Sequence, residues 1–181
     1  QMMGTRILAV ARWTLLIWGA LSLIGVVAVA TSAGFRNRDK IDTATTHDVR
    51  FVLNWCELGE QRIEKVVHSH VSSRSFTGDH LDAYAIKISH IERAELTAKA
   101  DSVRGRWYRG DQLPEVVADA VGFVGPWLHE LPWFPSEIEL RSSEFYVYPW
   151  SIYYQGVRPS AAELIFIRPS DRMVFYFGAK S

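Results

Sequence analysis

The sequence is poor in cysteine, in net charge and in recognisable catalytic motifs. Cys56 is the single cysteine among 181 residues, which excludes an internal disulfide framework and any zinc cluster built from cysteines. Basic and acidic residues number 20 each, so no excess positive charge is available to neutralise phosphates, and we expect no nucleic-acid partner. HExxH, GxSxG and SxxK motifs are absent, as are glycine-rich phosphate loops. None of these motifs therefore indicates a catalytic reaction.

What the sequence does contain is a long run without charge near its start. Between Arg12 and Arg36, residues 13–35 hold no Asp, Glu, Lys or Arg. A helix of that length exceeds the roughly 30 Å hydrocarbon thickness of a bilayer, so it can span with some tilt. Small residues at Ala28-Val29-Ala30 also resemble a signal-peptide cleavage site, but an apolar signal region is usually only about 7–15 residues long. We therefore expect an uncleaved signal-anchor, with the cleaved signal peptide as the alternative.

The division of the chain follows from this run. We expect four segments: a short N-terminal tail (1–12), a transmembrane helix (13–35), a polar linker (36–48) and an α+β domain (49–181). Basic residues flank both ends of the run almost equally, so the positive-inside rule is indecisive. A short tail before a large domain favours a cytoplasmic N-terminus and an extracytoplasmic domain, and the reverse orientation stays open.

Small residues within the run predict a helix-packing surface. Ala28 with Ser32, and Ala30 with Gly34, form two small-xxx-small pairs. Such pairs let a second transmembrane helix approach closely, which makes a membrane-embedded protein partner an expectation.

The periodicity of the remaining chain predicts an α+β fold: a transmembrane helix followed by about two helices packed on one face of an antiparallel sheet. The predicted helices cover 49–71 and 113–128, with a break allowed at Gly59. The predicted strands cover 81–91, 138–154 with a break at Pro149, 162–168 and 173–177. A tight turn at 169–172 joins the last two strands.

Candidate chemistry is sparse, and we expect no catalytic, metal-binding or cofactor-binding residue. His68-Ser69-His70 is an HxH pair, but its position in a predicted helix would make the two imidazoles diverge. Cys56 lies on the apolar stripe of the same helix and reads as a buried structural thiol. Glu137 and Glu139 would share one face of a strand, where nearby arginine favours an ion-paired edge.

The strongest functional feature is a concentration of aromatic residues in 127–154. Aromatics there occupy both odd and even positions of a predicted strand, so one sheet face cannot bury them all. We therefore predict a partner interface, since aromatics are enriched at interface cores. Its residues are Trp127, Trp133, Phe134, Tyr148, Trp150 and Tyr153. The alternatives are that helices cover both faces or that Pro149 flips the register.

These features together predict a single-pass, membrane-anchored scaffold or accessory subunit of a larger envelope protein complex. The alternative is a membrane-anchored ligand-binding or sensory domain with an aromatic-lined pocket. A contiguous apolar surface patch would favour the first function, and a pocket with a few convergent polar groups would favour the second.

Overall fold

The computed structural model describes residues 2–96 and 105–181, in two separate compact units, 1–38 and 39–181. The first unit is one helix, α1 (Met2–Arg36). Its segment Arg12–Val29 is long and apolar enough to cross a membrane, a property that signal sequences share. Of the four predicted packing residues, Ala28 and Gly34 are exposed, whereas the side chains of Ala30 and Ser32 lie outside the described part.

In its described residues, the second unit is a seven-stranded antiparallel sheet with three α-helices, so the predicted α+β class with an antiparallel sheet is confirmed. The strands lie in the order β1-β2-β3-β7-β6-β5-β4. The helices are α2 (Arg50–Trp55), α3 (Glu115–Val124) and α4 (Glu137–Leu140). The strands are β1 (Lys40–Ile41), β2 (Ile63–Val71), β3 (His80–Ile88), β4 (Tyr108–Arg109), β5 (Tyr146–Gln155), β6 (Arg158–Arg168) and β7 (Met173–Lys180). Short 3-10 segments include Glu60–Arg62, Arg93–Leu96, Gly110–Gln112 and Gly125–Glu130.

Both faces of the sheet carry a core, which corrects the expectation of helices on one face. Alternation along β3 sends Ala83 and Ala85 toward α3, on what we call the α3 face. The intervening Tyr84 and Ile86 point to the opposite, α2 face, where Val52 of α2 covers them. The strands at the centre of the sheet are therefore apolar on both sides, as a sheet covered on two faces requires.

The predicted helix over 49–71 is wrong in its second half. The helix ends at Trp55, and Gly59 adopts a positive φ of 82°, which glycine tolerates and a continuing helix does not. Residues 63–71 then form β2. Val66, Val67 and other β-branched residues favour an extended chain there. The apolar residues of this segment also happen to recur every three or four positions, which is the spacing that predicted a helix.

The predicted helix over 113–128 is present in part, as α3 followed by the 3-10 segment Gly125–Glu130. The strand predicted from residue 138 begins instead at Tyr146. Before it, Ser136 caps α4 by accepting a hydrogen bond from the Glu139 backbone NH, a capping box that the strand interpretation overlooked. The hairpin of β6 and β7, with its turn at 169–172, is confirmed.

Pro149 does not break β5, but it does change the register. Pro149 pairs with Leu164 and Ser151 pairs with Glu163, so Trp150 is the extra residue of a β-bulge. Before the bulge the odd residue Val147 faces α3, and after it the even residue Ile152 does. This shift, together with a core on each face, explains why aromatics occupy both parities of the strand.

Candidate functional site

The described surface carries a groove of about 500 Å³ on the α2 face. Phe51 of α2 packs edge-on against Tyr84 and Tyr176, and the ring centroids are 6.1 and 5.2 Å apart respectively. These two tyrosines are therefore covered by the helix. The groove occupies the sheet face just past them. Its lining residues are His80, Ser151, Tyr153, Ser160, Ala161, Glu163, Ala179 and Lys180.

The strand register places four residues in one line across the α2 face, and two of them, Glu163 and Ser151, line the groove. Asp82 of β3 pairs with Gly178 of β7, Gly178 pairs with Glu163 of β6, and Glu163 pairs with Ser151 of β5. Residues directly opposite each other on neighbouring strands point to the same face. Two carboxylates and a hydroxyl therefore share one face of the sheet although they lie far apart in sequence.

The absence of a side chain at Gly178 leaves space for the ring of Tyr176. A Cβ built at position 178 would collide with the hydroxyl oxygen of Tyr176, so the side chain of Tyr176 extends along its strand over the glycine. That position brings the Tyr176 hydroxyl to 3.4 Å from Oε1 of Glu163, to which it donates a hydrogen bond. Burial raises the pKa of Tyr176, and Glu163 raises it further, so this phenol remains a protonated donor.

Glu163 is the central charge of the groove. Its Oε2 accepts a hydrogen bond from Ser151 Oγ at 2.5 Å, and its Oε1 accepts the one from Tyr176. Both donors are neutral, and no lysine or arginine in the described part lies within 4.0 Å of either oxygen. A carboxylate has about four acceptor positions, so Glu163 can accept further hydrogen bonds from a ligand.

Asp82 differs from Glu163 because a cation compensates it. Arg74 donates a hydrogen bond to Oδ2 of Asp82 at 2.6 Å. The other oxygen, Oδ1, is buried without a hydrogen-bond partner in the described part. Burial, and then the charge of Asp82, raise the pKa of the neighbouring Tyr84 to about 12.

A second cross-strand line forms the outer wall of the groove. His80 pairs with Lys180, Lys180 with Ala161, and Ala161 with Tyr153. Nδ1 of His80 lies 2.9 Å from the Gly78 carbonyl, to which it donates, so Nε2 of the neutral ring is an acceptor. Lys180 donates from Nζ to the Thr77 carbonyl at 2.9 Å and has two further donors. Tyr153 is 60% exposed and offers its ring to a ligand.

The predicted aromatic interface is divided by this structure. Phe134 and Tyr148 are buried in the α3-face and α2-face cores respectively, so the expectation that they lie on a partner surface is wrong. The sheet has a hydrophobic core on each of its faces, and together these cores bury rings that a sheet covered on one face would leave exposed. Trp127 and Trp133 are half-buried against the α3-face core. Trp150 and Tyr153 of the predicted set are exposed.

The HxH pair lies on strand β2, so the two imidazoles share the α3 face instead of diverging. His68 stacks on Trp133 with ring centroids 5.3 Å apart, and its Nδ1 lies 3.5 Å from Asp42. Nε2 of the buried His70 lies 3.8 Å from Glu130. Among the described residues, no three His, Cys, Asp or Glu side chains form a group that could hold a metal ion.

Of the groove residues, the sequence pointed only to Tyr153, as part of the predicted partner interface; the others lie in no motif. One local indication existed: Glu163 is the only charged residue within the apolar run 161–167 of β6. A charged side chain in such a run needs a polar partner when it is buried, so it indicates a polar contact on that strand. The neighbours that give it meaning, Gly178 and Ser151, reach it only through strand pairing.

Comparison with known proteins gives no family. No protein-family model matches the chain, and no curated protein and no solved structure matches it.

Proposed function

We propose that this chain is a single-pass membrane protein whose domain, residues 39–181, binds a small hydroxyl-rich ligand in the groove. The N-terminus is cytoplasmic and the domain is extracytoplasmic in this proposal. The observation that carries it is Glu163, a carboxylate on the floor of the groove that is held by neutral donors and has acceptor positions left. Ligand sites typically combine an apolar wall with a few placed polar groups, as here.

The ligand class follows from the hydrogen-bonding groups of the groove. Glu163 and Nε2 of His80 accept, whereas Lys180 donates, so a ligand must both donate and accept hydrogen bonds. The charges of Glu163 and Lys180 balance, which favours a neutral ligand. The exposed ring of Tyr153 supplies an apolar surface for stacking. A neutral sugar meets all three conditions.

Saturation-transfer NMR with a panel of neutral methyl glycosides tests this proposal on the full chain in detergent micelles. We expect transfer to at least one glycoside, and we expect Glu163→Gln to abolish it by removing the charged acceptor. Glu144→Gln is the matched control, because Glu144 is exposed outside the groove. Gly178→Ala should also abolish transfer, since its Cβ forces Tyr176 to move. Transfer that persists in both groove variants would contradict the groove as the binding site.

The membrane topology is tested separately. Alkaline phosphatase and green fluorescent protein are fused in turn after Ser181. An active phosphatase and a dark fluorescent protein are expected for an extracytoplasmic domain. The opposite pair of results would reverse the orientation and leave the groove proposal intact.

A second candidate function is an accessory subunit of an envelope complex. The observation that favours it is the pair of exposed aromatics, Trp150 at 38% and Tyr153 at 60% exposure, on one side of the domain. Purification in gentle detergent followed by mass spectrometry tests it. Stoichiometric loss of a co-purifying protein in Trp150→Ala, with retention in Glu163→Gln, supports the subunit function over sugar binding.

A further inference from the structure

One end of the sheet carries two loops with apolar tips. The loop between β2 and β3, residues 72–79, holds Phe76, and the two-residue turn between β5 and β6 holds Val157. Strands β2 and β5 stop at this end of the sheet, and β3 and β6 start there. Both loop tips therefore project from the same end. Phe76 is fully exposed and Val157 is 89% exposed. Two exposed apolar side chains at the same end of the sheet can contribute to one contact surface, which a single exposed residue would not indicate.

The same end carries basic residues. Arg158 begins β6 and Lys180 ends β7, and both are exposed. Arg158 makes no ion pair within the described part of the chain. Lys40 of β1 is also exposed at this end, where it pairs with Val71. Two carboxylates also lie here, but Asp39 accepts a hydrogen bond from the Ser73 backbone NH and Asp79 accepts one from Thr77. Apolar tips beside exposed cations are features by which proteins recognise an anionic lipid surface.

The path of the chain provides an independent argument. The domain begins at Asp39, and Lys40 pairs with the last residue of β2, so the chain enters the domain at the end that carries the tips. The helix α1 ends at Arg36, four residues before Lys40. Four residues extend by at most about 14 Å. If α1 crosses the membrane, this end of the sheet is therefore tethered close to the bilayer.

We propose that this end of the domain docks on an anionic lipid surface, with Phe76 and Val157 at headgroup level and Arg158 and Lys40 facing lipid phosphates. The inference rests on the membrane anchor of the proposed function, and the residues proposed to face lipid do not line the groove, although Lys180, which does, lies at the same end. Each exposed cation near an anionic surface contributes attraction that falls off within a Debye length, so salt should weaken the docking.

An environment-sensitive fluorophore tests this on the full chain in nanodiscs. NBD is attached at Phe76→Cys, and the buried Cys56 does not compete for the reagent. The control label is at Ser170→Cys, in the exposed turn at the opposite end of β6, about 35 Å away. Nanodiscs contain phosphatidylcholine alone or with phosphatidylglycerol, plus shallow doxyl-labelled lipid as quencher.

The proposal expects a blue shift and quenching at position 76 and neither at position 170. Both effects should diminish in phosphatidylcholine alone and in Arg158→Glu, while Lys65→Glu, a charge reversal at an exposed site far along β2, should leave them unchanged. Equal signals at 76 and 170, or quenching that ignores lipid charge and Arg158, would overturn the docking. Co-elution of chain and nanodisc is checked in each sample. A chain that does not co-elute contradicts the anchor and with it the docking, whereas a co-eluting chain without quenching contradicts the docking alone.

Discussion

Trp55 and Trp150 stack face to face, with ring centroids 4.8 Å apart and planes only 5° from parallel. Trp55 is the last residue of α2, and Trp150 is the bulged residue of β5. The bulge next to Pro149 therefore places the ring of Trp150 on the α2 face. The stack joins α2 to β5.

This stack should stabilise the domain measurably. Trp55→Ala and Trp150→Ala, alone and combined, should give a coupling free energy of about 0.5–1.5 kcal/mol, the contribution of an aromatic pair beyond its buried area. Urea unfolding of the full chain in micelles, followed by near-ultraviolet circular dichroism, measures it. Trp150→Ala combined with Trp133→Ala is the control, because Trp133 packs on the opposite face. Additive effects in the Trp55–Trp150 pair would contradict the stack.

Phe134 should behave as a core residue. Its ring lies 5.5 to 6.2 Å from those of Phe166, Phe175 and Phe177. We expect Phe134→Ala to cost about 3–5 kcal/mol of unfolding free energy through lost burial and a cavity. Ile138→Ala, at a residue 85% exposed, should change stability by less than about 0.5 kcal/mol. Thermal melts of both variants decide, and similar melting temperatures would place Phe134 outside the core.

Glu95 should make stability depend on pH. Arg62 donates two hydrogen bonds to its carboxylate, at 3.0 and 2.6 Å, and these hold the pKa of Glu95 below its usual value. Since the folded pKa is depressed, the stabilisation is present above the unfolded value, about 4.3, and is lost as pH falls through the folded value. Glu95→Gln should therefore be less stable than wild type at neutral pH. The two should converge in acid.

Urea unfolding of both proteins across that pH range measures the effect. Glu144→Gln is the matched control, because Glu144 makes no ion pair within 4.0 Å in the described part of the chain. A gap between Glu95→Gln and wild type that stays constant with pH would show that the Arg62 pair does not contribute.

Cys56 should be unreactive in the folded chain. Burial raises the pKa of its thiol to about 12, and its Sγ lies 3.3 Å from the Val52 carbonyl, to which it donates. Because the thiolate is the reactive form, alkylation at neutral pH should occur only on unfolding. Iodoacetamide labelling across a urea titration, read by mass spectrometry, should follow the unfolding transition. Rapid labelling in the absence of urea would contradict the burial.

Local patterns predicted those parts of the fold that depend on neighbours in sequence. Strand β3 and the β6–β7 hairpin were predicted correctly because alternation and turn residues act over a few positions. The end of α2 at Trp55 was not predicted, because the apolar residues of β2 happen to recur at helical spacing. The pairing of β2 with β1 and β3 decides between the two periods.

The candidate site shows the same limit more strongly. Glu163 stands out in its own strand, but Asp82 and Ser151 are ordinary residues of theirs. Their alignment depends on the pairing of four strands, and a shift of one residue in any pair would turn a side chain to the other face. The sequence offers no local rule for that register.

By itself, the sequence determined the uncharged run at 13–35, the α+β class and the concentration of aromatics in 127–154. These are matters of composition and short-range period. Tertiary structure alone decided which rings are covered, because α2 and α3 lie on opposite faces, and which polar groups share the groove. Burial and strand register join residues that are distant in sequence, and their free energies depend on contacts that no local pattern specifies.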